Sequence, residues 1–241
     1  MDYQDPRIAE IYDLLNPWTK DAEFYLSLAG PRPCSVLDLG CGTGTLCCAR
    51  AERGHRVTGV DPAAAMLDVA RSKPHSERVE WVESSAQSLK LDRRFDLVLM
   101  TGHAFQILLS DEDALAALET MRSHVRDGGR VAFETRNPSV DWVGEWAARP
   151  PRVYTVRGGR LLECLEITGV DGEFISFKTS YRFADATLTT SSTLRFPRRE
   201  HVEGLIAQAG LVVCELFGDW GAGPFESASS REIIFVAQTA K

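Results

Sequence analysis

The chain has 241 residues, 44% of them hydrophobic and 25% charged, with a net charge of -7. That is the make-up of an ordinary globular protein, long enough for one substantial core with an insertion or for two small domains. The acidic balance argues against a nucleic-acid partner, which demands a basic surface, and no apolar run approaches the roughly 20 residues of a membrane-spanning helix.

The opening Met-Asp-Tyr-Gln-Asp-Pro-Arg has no signal-peptide character. Cysteines at 34, 41, 47, 48, 164 and 214 show no zinc spacing, so a cytoplasmic protein with reduced thiols and no metal is expected. Ile8, Ile11, Tyr12, Leu14 and Leu15 make an apolar stripe at helical spacing that Asn16-Pro17 ends, and Gly30-Pro31-Arg32-Pro33 breaks the chain after one or two helices. Read from its spacing alone, Tyr12 is a core aromatic.

Ser35 to Thr45 then reads as a short buried strand (Val36, Leu37, Leu39) running into alternate glycines, Gly40, Gly42 and Gly44. Alternate glycines let the backbone turn tightly and approach a ligand, and the helix expected from about Thr43 to Arg53 points its free N–H groups at it. Thr45 stands where a dinucleotide fingerprint has its third glycine, and Asp38 would repel a pyrophosphate. A ligand with a positive centre, an amino-acid end and a ribose fits better; a tight strand–helix turn in some other α/β enzyme is the alternative.

His55 to Asp61 forms the expected second strand. An acid at its carboxyl end can accept from both hydroxyls of a ribose, although Asp61-Pro62 also reads as a helix start. Met66, Leu67 and Ala70 give the next helix its inner face, and Val79 to Val82 makes a third strand. Phe95 to Met100 is a buried fourth strand that delivers Thr101-Gly102-His103-Ala104 to the sheet edge. Ser110 and Asp113 read as a capping pair for a helix whose Leu115, Leu118, Met121 and Val125 face inward. Asp127-Gly128-Gly129 is expected to end that helix, and Arg130 to Thr135 to form the fifth strand, with Glu134, Arg136 and Asn137 at its edge. Strands alternating with helices imply a parallel sheet.

From about Pro138 the pattern changes to period-two runs with turn signals at Gly158-Gly159, Asp171-Gly172 and Asp185-Ala186. Ile175, Phe177, Tyr181 and Phe183 share one face, and Ser176, Lys178, Ser180 and Arg182 the other. This is an inserted antiparallel sheet whose aromatic face packs on the core, roofs a substrate pocket, or does both. Arg149, Arg152, Arg157 and Arg160 read as a solvated face or as recognition for an acidic substrate. Glu200 to Gln208 is the last helix, and Leu211 to Leu216 and Ile233 to Gln238 close the chain as a hairpin.

Asp38-x-Gly40-x-Gly42-x-Gly44 resembles motif I of the class I S-adenosylmethionine-dependent methyltransferases, and the terminal hairpin is similar to the end of that fold. The resemblance covers residues 1–137 and 197–241. It implies an α/β, Rossmann-like seven-stranded sheet with an antiparallel C-terminal hairpin, plus the inserted antiparallel β subdomain over 138–196. Ala9 to Asp13 (A-x-x-Y-D) is similar to the N-terminal lid of the small-molecule enzymes of that family, giving a lid over 1–33 and a cofactor-binding core over 34–137 and 197–241.

The resemblance carries cofactor contacts to Tyr12, Asp38, Gly40, Cys41, Gly42, Gly44 and Asp61. It extends them to Pro62 and Met66 beside the adenine, and to Thr101 and Gly102 by their backbone. After the third strand the family has an acid for the adenine amino group; here Ser85 and Ala86 stand in that place, a departure that a hydroxyl acceptor only partly makes good. S-adenosylmethionine carries its own electrophilic methyl, so the enzyme must mainly align an N or O nucleophile of a small molecule and exclude water. His103 is the candidate base, with Asp219 and Glu134 behind it, unless an amine acceptor needs none. A monomer or homodimer is expected. Protein or RNA methylation, a nicotinamide oxidoreductase and a non-catalytic cofactor-binding regulator are the other readings.

Overall fold

Seven strands lie in the order β10-β11-β5-β4-β1-β2-β3. The computed structural model describes residues 3–156 and 159–240; Arg157 and the expected turn at Gly158 fall outside the described residues. The central strand β1 (Ser35–Leu39) pairs in parallel with β2 (Arg56–Asp61) and β4 (Phe95–Met100). From Val36 onward its side chains other than Asp38 are apolar, on both faces, because helices cover both. Leu37 and Leu39 join Val98, Phe133 and Phe235 under α5 (Asp111–His124) and α7 (Arg199–Gln208). Val36 joins Leu99, Ala132 and Ile234 under Phe24 and Tyr25 of α2 (Lys20–Leu28). Beyond β2 lies β3 (Val79–Glu83), reached through α4 (Ala64–Arg71). On the other side, β5 (Val125–Arg136) pairs in parallel with β4, and antiparallel with β11 (Glu232–Thr239). The hairpin partner β10 (Leu211–Phe217) completes the sheet as the sequence led one to expect.

One boundary differs from expectation. α5 stops at His124, and Val125 already pairs with Phe95 before the register shifts to Leu97–Arg130. Asp127-Gly128-Gly129 is therefore an interruption inside the strand and not the helix end. Burial of Val125 between the sheet and α5 decides this over the turn propensity of the two glycines.

The second sheet has the order β6-β7-β8-β9, from β6 (Arg152–Val156), β7 (Gly159–Asp171), β8 (Phe174–Arg182) and β9 (Thr187–Arg195), all antiparallel. Its aromatic face does two jobs. Tyr181, with Leu161, packs on Ile8, Ile11 and Leu15 of α1 (Pro6–Leu15), while Ile175 packs with Trp142 and Phe196 beside α6 (Trp142–Ala147). The opposite face of α1 sets Ala9 and Tyr12 against Met66 of α4, so α1 is wedged between the second sheet and α4. Leu14, expected in the apolar stripe, is exposed. The six cysteines form no disulfide, and no helix among the described residues is long and apolar enough to cross a membrane.

Candidate functional site

At the carboxyl ends of β1, β2 and β4 lies a cavity of about 370 Å³, the place where open α/β sheets bind ligands. Its floor is the glycine loop. Gly40 (φ +72°), Gly42 (φ +55°) and Gly44 (φ +70°) all adopt the left-handed backbone that glycine tolerates, and the Gly40 N–H donates to the Val60 carbonyl at 2.8 Å. Gly44 is the N-cap of α3 (Thr45–Glu52), and a Cβ there would enter the Trp81 ring.

Asp61, at the end of β2, closes the loop from the side. Its Oδ2 accepts from the Gly42 N–H at 2.8 Å and its Oδ1 from the Ala63 N–H at 2.8 Å. Both readings of this residue therefore hold locally: the carboxylate anchors the start of the next helix and also lines the cavity. Burial raises its pKa, while the two N–H donors act in the opposite direction.

The fold brings Tyr12, Gly40, Gly42, Asp61, Pro62, Met66, Ser85, Ala86, Thr101 and Gly102 to the wall of this one cavity. Four expected residues lie elsewhere. Asp38 faces down into the core, where its Oδ2 meets Arg50 Nη1 at 3.2 Å and accepts from the Cys47 thiol at 3.5 Å. Cys41 packs beneath the loop with Cys47 and Trp81. Gly44 supports the loop from behind. His103 has a left-handed backbone (φ +60°) and is not part of the cavity wall, although its neighbours Gly102 and Ala104 are.

The cavity also uses residues that sequence reasoning passed over. Tyr3 stands edge-on to Tyr12 at 5.7 Å, and Gln4 donates to the Pro62 carbonyl at 2.9 Å. Ile107 and Leu108 supply apolar wall. The usable signal was an apolar pair in a sheet-edge loop, together with a second tyrosine close before the lid motif. Nothing in the sequence joined Tyr3 to Asp61. Glycine backbone without Cβ atoms, a carboxylate at the ribose place and an apolar slot by Pro62 and Met66 make a donor set that fits S-adenosylmethionine.

Behind His103 lies a second cluster. Its Nε2 is 2.9 Å from Glu232 Oε2, and its backbone N–H donates to Glu134 Oε1 at 2.5 Å. The Tyr25 hydroxyl donates to the other Glu134 oxygen, and the His103 ring meets Trp220 edge-on. Burial pushes the His103 imidazole down to about 4 and the Glu232 carboxyl up to about 7. Burial raises Glu134 as well. Asp219, the other candidate base, instead accepts from the Gly221 and Gly223 N–H groups and shapes its own turn. Of the candidate acid-recognition arginines, Arg149 is engaged with Glu163 at 3.1 Å, with Arg152 nearby at 3.9 Å, and Arg160 is exposed.

A family model described as "Methyltransferase domain" matches residues 36–129, which hold the glycine loop, Asp61 and His103. Cypemycin N-terminal methyltransferase from Streptomyces sp is 27% identical, over 97% of this chain and 96% of that protein. Other curated relatives are matched over about half their length; a ubiquinone biosynthesis O-methyltransferase from Stutzerimonas stutzeri is 33% identical over 48% of this chain and 50% of its own. Among solved structures, a S-adenosylmethionine-dependent methyltransferase from Clostridium acetobutylicum superposes with TM-score 0.80 at 18% identity, covering 98% of each chain. A sugar N-methyltransferase from Streptoalloteichus sp gives 0.78 at 19%, covering 95% of this chain and 93% of that one.

Proposed function

Because this chain belongs to the class I S-adenosylmethionine-dependent methyltransferases, we propose that it methylates the amine nitrogen of a small molecule or peptide-like metabolite. The observation that carries the choice of nitrogen is the acid cluster around His103. Glu134 and Glu232 are both buried against it, one residue away from the cavity wall at Gly102 and Ala104. Two carboxylates in a half-dry site favour a cation, and an amine reaches the site as its ammonium form. A hydroxyl acceptor would draw no such benefit. The names of the full-length relative and of the sugar N-methyltransferase point to nitrogen acceptors in those proteins.

In this reading S-adenosylmethionine supplies an electrophilic methyl group, and the chain binds, orients and takes a proton. The glycine loop and Asp61 hold the nucleoside. Tyr3 and Tyr12 of the lid over residues 1–33 exclude water, and the sheet within 138–196 roofs the lid on the core formed by 34–137 and 197–241. Glu232, held near 7, is a better proton acceptor for an arriving ammonium than His103, whose imidazole stays neutral and weakly basic at pH 7. His103 then orients Glu232 and does not act as the base.

The test has two parts. Calorimetry of S-adenosylmethionine and S-adenosylhomocysteine with wild type and Asp61→Ala reads the cofactor site. Mass-shift screening of matched amine and hydroxyl acceptors reads the nucleophile. Methylated amines with unmodified hydroxyls are expected; products confined to oxygen would overturn the assignment.

A further inference from the structure

Arg136 and Glu232 stand directly opposite each other where β5 and β11 pair. Partners in such a ladder have Cα atoms about 5 Å apart and side chains on one face, so an arginine and a glutamate there would ordinarily join. They do not. Glu232 turns to His103, and the Arg136 guanidinium lies over the Trp142 and Trp146 rings at 5.5 and 5.4 Å. Among the described residues its guanidinium makes one hydrogen bond, from Nη1 to Gln106 Oε1 at 2.8 Å, and Gln106 is itself fixed by donating to the Arg195 carbonyl at 2.7 Å.

Among the described residues, no carboxylate oxygen lies within 4.0 Å of the Arg136 guanidinium, whereas Arg50 and Arg149 each have a carboxylate partner and Arg195 has two. A guanidinium offers five N–H donors in a planar fork, and half-buried Arg136 keeps the nitrogens it does not use within reach of solvent. Here the aromatic rings and Gln106 hold that fork in place with most of its donors unspent. Gln106 sits between Ala104 and Ile107, both on the wall of the cavity, so its bond to Arg136 sets the guanidinium beside that wall.

We propose that Arg136 binds a carboxylate of the acceptor while Glu232 faces its amine, so that the substrate class is an amino acid or short peptide carrying both groups. This rests on the amine-methylation reading and narrows it. A preformed cation and a preformed acid, held apart by their own second partners, fit a zwitterion spanning them; neither an amino sugar without a carboxylate nor a simple alkylamine would occupy the Arg136 fork. Bidentate arginine–carboxylate contacts are the strong, geometrically selective kind.

The test uses the full chain with S-adenosylmethionine and a set of α-, β- and γ-amino acids and dipeptides, each presented also as its neutral carboxamide. Methyl transfer is read by mass spectrometry, and S-adenosylhomocysteine binding by calorimetry. Wild type should favour the free carboxylate by about tenfold or more in kcat/KM. Arg136→Met should bring each pair to within about threefold, chiefly by raising KM for the acid, with S-adenosylhomocysteine binding unchanged. Arg136→Lys, which keeps the charge but not the fork, should retain part of the preference and covers the case in which the methionine variant does not fold. Methylation of carboxamides as fast as acids, or a preference that survives Arg136→Met, overturns this proposal and leaves amine methylation standing. Methylation of hydroxyl compounds alone overturns both.

Discussion

Asp38 and Arg50 form a buried ion pair, with side chains 1% and 0% exposed, directly beneath the glycine loop. Arg50 Nη2 also donates to the Tyr25 carbonyl at 3.0 Å, tying α2 to the loop strand. Burial pushes Asp38 upward and Arg50 downward, each toward its neutral form, and their mutual contact opposes this. Asp38 Oδ1 and Arg50 Nε make no hydrogen bond, so the pair is only partly satisfied. Removing one member leaves a bare buried charge and is expected to cost about 3–5 kcal/mol. Arg50→Met should lower the unfolding free energy measured by urea titration by that amount, and adding Asp38→Asn should restore a large part of it. A double variant as unstable as the single one would show that the arginine acts by filling volume.

Gly44 and Gly54 separate steric need from backbone need. Both have positive φ, +70° and +86°, but a Cβ at Gly54 would meet nothing within 4 Å while one at Gly44 would strike Trp81. Gly54→Ala should therefore cost about 1 kcal/mol of backbone strain. Gly44→Ala should add about 1–3 kcal/mol of overpacking and weaken S-adenosylmethionine binding, because Trp81 and the start of α3 must shift. Denaturant titration and calorimetry on both variants check this; equal losses would contradict the Trp81 contact.

Asp61 uses both oxygens on backbone N–H groups of the loop and of the next helix. Asp61→Asn turns one acceptor into a donor against an N–H, and each such charged hydrogen bond contributes about 1.5–3 kcal/mol. Cofactor affinity should fall about tenfold or more in Asp61→Asn and further in Asp61→Ala. Calorimetry with S-adenosylhomocysteine measures it, and wild-type affinity in either variant would remove Asp61 from the site.

His103 and Glu232 contribute opposite slopes to stability against pH. The glutamate, raised from 4.5 to about 7, stays protonated in the fold where the unfolded chain has released its proton, so its contribution falls as pH rises from 4.5 to 7. The histidine, lowered from 6.5 to about 4, resists protonation in the fold, so its contribution falls as pH drops from 6.5 to 4. Between 4.5 and 6.5 the two cancel, each worth about 3 kcal/mol at most. Denaturation of His103→Asn should become more favourable with rising pH across that window, and of Glu232→Gln with falling pH. A wild-type curve as steep as either variant's would disprove the compensation.

The order of elements was legible because it rests on local rules. Alternate glycines end β1, Asp61 ends β2, Phe95 to Met100 is apolar at every position but Asp96, as suits a doubly covered strand, and Ser110 with Asp113 caps α5, the Asp113 N–H donating to Ser110 Oγ at 3.1 Å. The gathering of Gly40, Gly42, Asp61, Thr101 and Gly102 at one cavity followed largely from the same rules, since a strand's carboxyl end places its last residues at the sheet edge whatever lies around it.

What depends on a partner far away in the chain was decided by the tertiary structure. Period two says that Asp38 alternates with Leu37 and Leu39, but only the packed α3 shows that Arg50 waits on that side. His103 was legible as a sheet-edge imidazole; that Glu232, 129 residues later, takes its Nε2 depends on β11 lying antiparallel beside β5. The wedging of α1 between the second sheet and α4 and the separation of Arg136 from Glu232 arise in the same way. Local sequence determines which face a side chain presents, and long-range burial determines what meets it there, because the free energy of a buried charge belongs to its neighbours as much as to itself.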